Sequence, residues 1–230
     1  MAPQRISEGD GKKTPQGGIG GTGIVGTLTD FGSLIVNGLV LETGSRTRVT
    51  DAFGARDQAA LAIGQSLTVE AERTPLFGSE TSDAIYEAIR VQITHPVIGA
   101  VEKVDPTGSN AIVAGVRVTL EPGALGRFVP GVRMAISGLW QGPRVIASRV
   151  EPAEATGADV IAGEIAVVQS LPSLGGRPLL GASADLPEPG TFVTAYGRNK
   201  SDGFAIERLV PGRFFGAAGA LVTLSIEGYL

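Results

Sequence analysis

The chain has 230 residues, of which 43% are apolar and 18% charged, with 34 glycines and 14 prolines. This excludes a disordered chain, and so many turn-forming residues favour numerous short strands. A net charge of −4 with 5% aromatic residues speaks against a basic, base-stacking nucleic-acid surface, and the lack of cysteine excludes disulfides, thiolate metal sites and a cysteine nucleophile.

Residues 1–17 are polar and rich in Gly, Lys, Pro and Gln, and read as a flexible tail. They lack the apolar core of a signal peptide. No apolar run reaches the roughly 18 residues of a membrane span. After the tail, three passages share one plan. Each opens with a strand: GIVGTLTD (23–30), VIGAVEKVD (97–105) and VIAGEIAVV (160–168). A hairpin follows, turning at Asn37-Gly38, Ala114-Gly115 and Gly175-Gly176. Asn-Gly between apolar runs is a strong hairpin signal, because both turn residues need positive φ. A connector then leads to a strand opened by Gly64, Gly131 or Gly190, glycines 67 and 59 residues apart, and a last strand closes each passage. Spacing this regular marks internal repetition.

Three strands, a connector and two more strands is the plan of an OB-type barrel. The predicted fold is therefore all-β: three tandem five-stranded OB-like barrels, at residues 18–95, 96–153 and 154–212, behind a flexible N-terminal tail. The first connector (43–64) has room for a short helix near RDQAALAI. The other two are short and rich in Pro and Gly, which predicts open or degenerate barrels. Residues 213–230 end in ALVTLSIEGYL, expected to add a strand to an open edge.

Gly18, Gly20 and Gly23 spell the dinucleotide-binding motif, with Glu42 at a suitable distance. That motif works where a strand delivers the glycines to a helix N-terminus. Here a strand and an Asn-Gly hairpin follow, so the segment reads as a glycine-rich strand or close-packed turn, and no cofactor is expected. The stretch GGIGGTGIVGTLTDFGSLIVNG resembles the start of an uncharacterised bacterial family, a domain of unknown function. Its members are mostly predicted to be exported. They carry a GIGGTG start, an FGS-hydrophobic-VNG hairpin and tandem OB-like repeats. The terminal LSIEGYL also looks like that family, and the resemblance covers most of the chain. It implies a periplasmic or cell-envelope setting, after removal of a signal peptide absent from this sequence, with the cytoplasm as the alternative. It implies no activity.

Chemistry-bearing residues are sparse. The single histidine, His95, has no second histidine or cysteine with which to share a metal, and reads as a linker or interface residue. There is no G-x-S-x-G elbow. Glu70 and Glu72 alternate on one strand, and the acidic stretch 79–87 lacks calcium-loop spacing. No metal or catalytic residue is assigned. Arg90, Arg149 and Arg208 occupy equivalent places in the three closing strands, where salt bridges between barrels or plain solubility would explain them, with an anion-binding stripe as the alternative.

OB-type barrels bind through the loop after strand one and the loop between strands four and five. Those loops hold Phe31, Leu76 and Phe77 in the first passage and Trp140, the only tryptophan, in the second. These four are the candidate partner-binding residues. The acidic balance favours a protein or glycan partner over nucleic acid. The expected function is a non-catalytic binding or scaffold protein of the bacterial envelope. The alternatives are a hydrolase with acidic residues in an inter-barrel cleft and, less favoured, an oligonucleotide-binding protein.

Overall fold

The computed structural model describes residues 21–31, 33–75, 84–155, 157–181, 186–214 and 221–229. The protein is all-β and divides into two compact units, Met1–Ile93 with Phe214–Leu230, and Thr94–Arg213.

The first unit contains β1 (Gly21–Phe31), β2 (Leu34–Val36), β3 (Leu39–Glu42), β4 (Arg48–Asp51), β5 (Gly54–Arg56), β6 (Ser66–Pro75) and β7 (Ala84–Ile93). β1 pairs antiparallel with β2 and β6, β2 with β3, and β6 with β7. β3 and β4 both lie parallel to β7, and β5 folds back on β4. Asn37 (φ 50°) and Gly38 (φ 71°) form the turn between β2 and β3 with the positive φ values their sequence predicts. Inward residues Ile24, Leu28, Val36, Leu41, Leu67, Val69 and Val91 are fully buried in one cluster. Each such side chain contributes about 1.5–3 kcal/mol.

The helix expected near RDQAALAI reduces to one 3-10 turn at Gln58–Ala60. The connector instead spends its length on the β4–β5 hairpin. Leu61 already has an extended backbone and drops into the core. The Gln65 side chain accepts from the Ala62 N–H at 2.8 Å and donates to the Ala60 carbonyl at 3.2 Å, holding the turn closed without further helix.

The second unit contains β8 (Val97–Val104), β9 (Asn110–Val113), β10 (Val116–Leu125), β11 (Arg133–Gln141), β12 (Arg144–Pro152), β13 (Asp159–Val168), β14 (Leu171–Leu174), β15 (Arg177–Leu180), β16 (Phe192–Asn199) and β17 (Phe204–Pro211). β8 to β12 close into a five-stranded barrel in the order β8-β9-β10-β12-β11, with β11 returning to β8. This corrects the expectation of an open or degenerate barrel here. The short connector suffices because β10 runs parallel to β12 and shifts register between Leu120 and Leu125, which brings the chain round without a helix. β13 pairs with β14 and β16, β14 with β15, β15 parallel with β17, and β16 with β17. β13 also pairs with β8 through Val160–Ile98 and Ile161–Val97. A single core runs through the unit, with Val97, Val113, Ile136, Val145, Ile161, Leu174, Val193 and Phe204 fully buried.

The chain returns to the first unit as β18 (Leu221–Ile226), which lies parallel to β1. Hydrogen bonds beyond the strand ladder fasten this end, among them Thr27 N–H to Glu227 Oε2 at 2.7 Å, Glu227 N–H to the Val25 carbonyl at 2.9 Å, and Asn37 Nδ2–H to Ser225 Oγ at 2.6 Å. The GIVGT, VNG and LSIEG segments are thereby joined in space.

Candidate functional site

Gly23 lies in the middle of β1, paired with Glu70 and Leu224. A Cβ there would come within 2.9 Å of Phe214 and 3.0 Å of Leu221 and Leu224. The glycine makes room for covering side chains. Gly18 and Gly20 lie outside the described residues.

Phe31 is the last residue of β1 and pairs with Leu34, placed here by its backbone. Leu76 and Phe77 lie outside the described residues. Trp140 is not at a loop tip. It belongs to β11 opposite Val145, and packs against the core of the second unit. Its indole N–H donates to the Ala162 carbonyl at 2.8 Å. A Cβ at Gly163 or Gly175 would approach the ring to 2.9 or 2.5 Å. The tryptophan is thus wedged between the β8–β12 barrel and the strands that follow.

His95 is buried with neither ring nitrogen hydrogen-bonded, and its Nε2 lies 3.8 Å from Glu151. Arg90 pairs across the ladder with Glu70 at 2.7 Å, Arg149 with Glu151 at 2.7 Å, and Arg208 stacks over Tyr196 at 3.7 Å. Among the described residues no three of His, Asp and Glu gather as a metal site, and no helix is long and apolar enough to cross a membrane.

The sequence reading missed a groove on the closed barrel. It encloses about 480 Å³, within the roughly 300–1,000 Å³ of small-ligand sites. Its floor is the outward face of β9 and β10, and its rims are the loops β8–β9 and β11–β12. One cross-strand row, fixed by register, runs Lys103, Ile112, Arg117, Arg144, Gln141. The neighbouring row contributes Asn110 and Thr119, joined by a hydrogen bond of 2.8 Å.

The row carries three cations, Lys103 on β8, Arg117 on β10 and Arg144 on β12. Arg46, Arg56, Arg90, Arg133, Arg149 and Arg198 each face a carboxylate. Arg117 instead lies directly beside Arg144 on a neighbouring strand, a like-charge arrangement that costs stability. Arg144 bonds the Gln141 side-chain carbonyl. Lys103 and Arg117 make no ion pair among the described residues. Arg48 and Arg90 are like-charged neighbours too, but Glu70 balances Arg90, whereas neither Arg117 nor Arg144 faces a carboxylate among the described residues.

The acid in the groove forms no ion pair with these cations. Asp105 turns both carboxylate oxygens into its own loop. Oδ1 accepts from Ser109 N–H at 3.0 Å and Asn110 N–H at 3.1 Å, and Oδ2 from Asn110 Nδ2–H at 2.8 Å and the Thr107 hydroxyl at 2.9 Å. The Asn110 donors, side chain first, hold the carboxyl down at about 2. Asp105 therefore shapes the rim, and its negative charge leaves the lining with an excess of positive charge from Lys103, Arg117 and Arg144.

Signals for this face were present in the sequence. NAIV-AG-VRVTL alternates so that Arg117 must point outward once Val116 and Val118 point in. Counting from the three hairpin turns, Val40 and Pro178 stand where Arg117 does, so the cation is particular to the second passage. A second surface feature is the β13–β14 hairpin, where Val167, Val168 and Leu171 are exposed around Gln169 and Ser170, both with positive φ.

Comparison with protein-family models, with curated proteins and with solved structures finds no match to this chain.

Proposed function

We propose that the chain is a non-catalytic binding or scaffold protein of the bacterial envelope, built from three tandem OB-like barrels, with its ligand face on the second. The three-barrel reading rests on ladder order. In each passage strand one pairs with strands two and four, strand three with strand five, and strand four with strand five. The envelope setting rests on the resemblance carried by the GIGGTG, VNG and LSIEGYL segments.

The observation that carries the binding role is the position of the groove. It occupies strands two and three of the closed barrel, between the loop after strand one and the loop between strands four and five. OB-type barrels take their ligands there. The adjacent cations and hydrogen-bonding side chains supply selectivity, and the ordered Asp105 loop supplies preorganisation. We assign this row the holding of a ligand and no catalytic step.

Titration of the full chain with a panel of neutral, carboxylated and phosphorylated oligomers, followed by amide chemical shifts, tests this. The binding role predicts saturable shifts confined to residues 103–119 and 141–144, with every ligand recovered intact. Shifts centred on another face, or conversion of a ligand to product, would refute it.

A further inference from the structure

Resting on that assignment of the groove, we propose that its ligand is a carboxylate-bearing polysaccharide, recognised as a short stretch of acidic sugar units.

Charge gives the first part of the argument. Arg117 and Arg144 lie on adjacent strands, roughly 5 Å apart at the backbone. Two planar guanidinium groups so placed are suited to clasp one carboxylate, which accepts bidentate hydrogen bonds. Lys103 lies two strands from Arg117 across Ile112, roughly 10 Å away. The row therefore offers two anion positions separated by an apolar residue. An acidic polysaccharide matches this pattern: regularly spaced carboxylates, with the less polar faces of sugar rings between them. Asn110, Thr119 and Gln141 add both donors and acceptors for hydroxyl groups.

The surroundings argue against the other anionic polymers. An acidic peptide binds a sheet most readily by adding a strand to a free edge. Neither β9 nor β10 has one: β9 is paired on both sides by β8 and β10, and β10 by β9 and β12. Only side chains are on offer. A single-stranded nucleic acid needs aromatic platforms for its bases, and no residue lining the groove is aromatic. The volume of about 480 Å³ holds more than a lone ion.

The test is titration calorimetry of the full chain with galacturonate oligomers at low salt, alongside a neutral galactose oligomer, a polyglutamate peptide and single-stranded oligothymidylate. The expected result is saturable binding of the galacturonate oligomer alone, weakening as salt is raised. Combined Arg117→Gln and Arg144→Gln should lower that affinity at least about tenfold, and Lys103→Gln should lower it independently, all at unchanged melting temperature. If polyglutamate or oligothymidylate binds more tightly and loses affinity in the same variants, the groove stands as a ligand face and the sugar class is wrong. Equal binding of the neutral oligomer also overturns the sugar-acid inference. If nothing in the panel binds, both the inference and the ligand face are overturned.

Discussion

The indole N–H of Trp140 donates to the main-chain carbonyl of Ala162 at 2.8 Å, across 22 residues of sequence. This bond ties β11 of the closed barrel to β13 of the strands that follow. Arg133–Asp159 at 2.6 Å and Asn199–Glu102 at 2.7 Å fasten the same two parts. Together with the shared core, these links explain why residues 94–213 form one compact unit.

Trp140→Ala should therefore destabilise the protein by about 2–4 kcal/mol, through lost burial and an orphaned carbonyl. Gly163→Ala should cost about 1–3 kcal/mol, because its new methyl meets the ring. In the Trp140→Ala background the same glycine substitution should cost far less. Urea unfolding of the two single variants and the double variant measures this coupling. Additive losses would show that the ring does not press on Gly163.

Asn37 carries two roles, a turn φ of 50° and a side-chain bond to Ser225. Asn37→Pro cannot adopt that φ and should cost about 3 kcal/mol or more. Asn37→Gly keeps the turn and removes the bond, so a loss of about 0.5–1.5 kcal/mol is expected. Ser225→Ala should reproduce the smaller loss. Thermal unfolding of the three variants separates the roles, and equal losses for Pro and Gly would place the importance in the side chain alone.

The Asp105 loop should respond to acid. Its carboxyl is held at about 2, below the ordinary value of 3.8, by donors from Asn110, Thr107 and Ser109. A depressed acid contributes stability that is complete above the unfolded value and is lost as pH falls through the folded one. The loop should thus stay ordered near pH 4 and loosen towards pH 2, as read by hydrogen exchange at the Ser109 and Asn110 amides. Asp105→Asn should loosen those amides already at neutral pH. Indifference of both amides to acid and to the substitution would contradict the assigned bonds.

Local chemistry was legible in the sequence wherever one residue decides one dihedral angle. The three hairpins at Asn37-Gly38, Ala114-Gly115 and Gly175-Gly176 all turn with positive φ, which Asn and Gly favour and which Ala114 (φ 45°) adopts against its own preference. What depends on distant partners was not legible. GLWQGP reads as a loop because glycines flank the tryptophan. Gly138 is instead a bulge within β11, where a Cβ would lie 2.1 Å from the Ile146 carbonyl oxygen and the register slips. The row from Lys103 to Arg144 spans four strands, so only the register brings its cations side by side. The repeated arginines are legible from sequence spacing, but their partners are not: Arg90 and Arg149 face carboxylates and Arg208 a tyrosine ring. Lys103, Arg117 and Arg144 are among the described cations that face no carboxylate.

The central claim is that the outward face of β9 and β10 holds a ligand. Hydrogen exchange of the full chain with and without galacturonate oligomer, read by mass spectrometry, tests it most directly. The account predicts new protection in peptides covering residues 103–119 and 141–144, absent when Lys103→Gln and Arg117→Gln are combined. Protection that appears elsewhere, for example on the exposed 166–172 hairpin, or that survives loss of both cations, would contradict it.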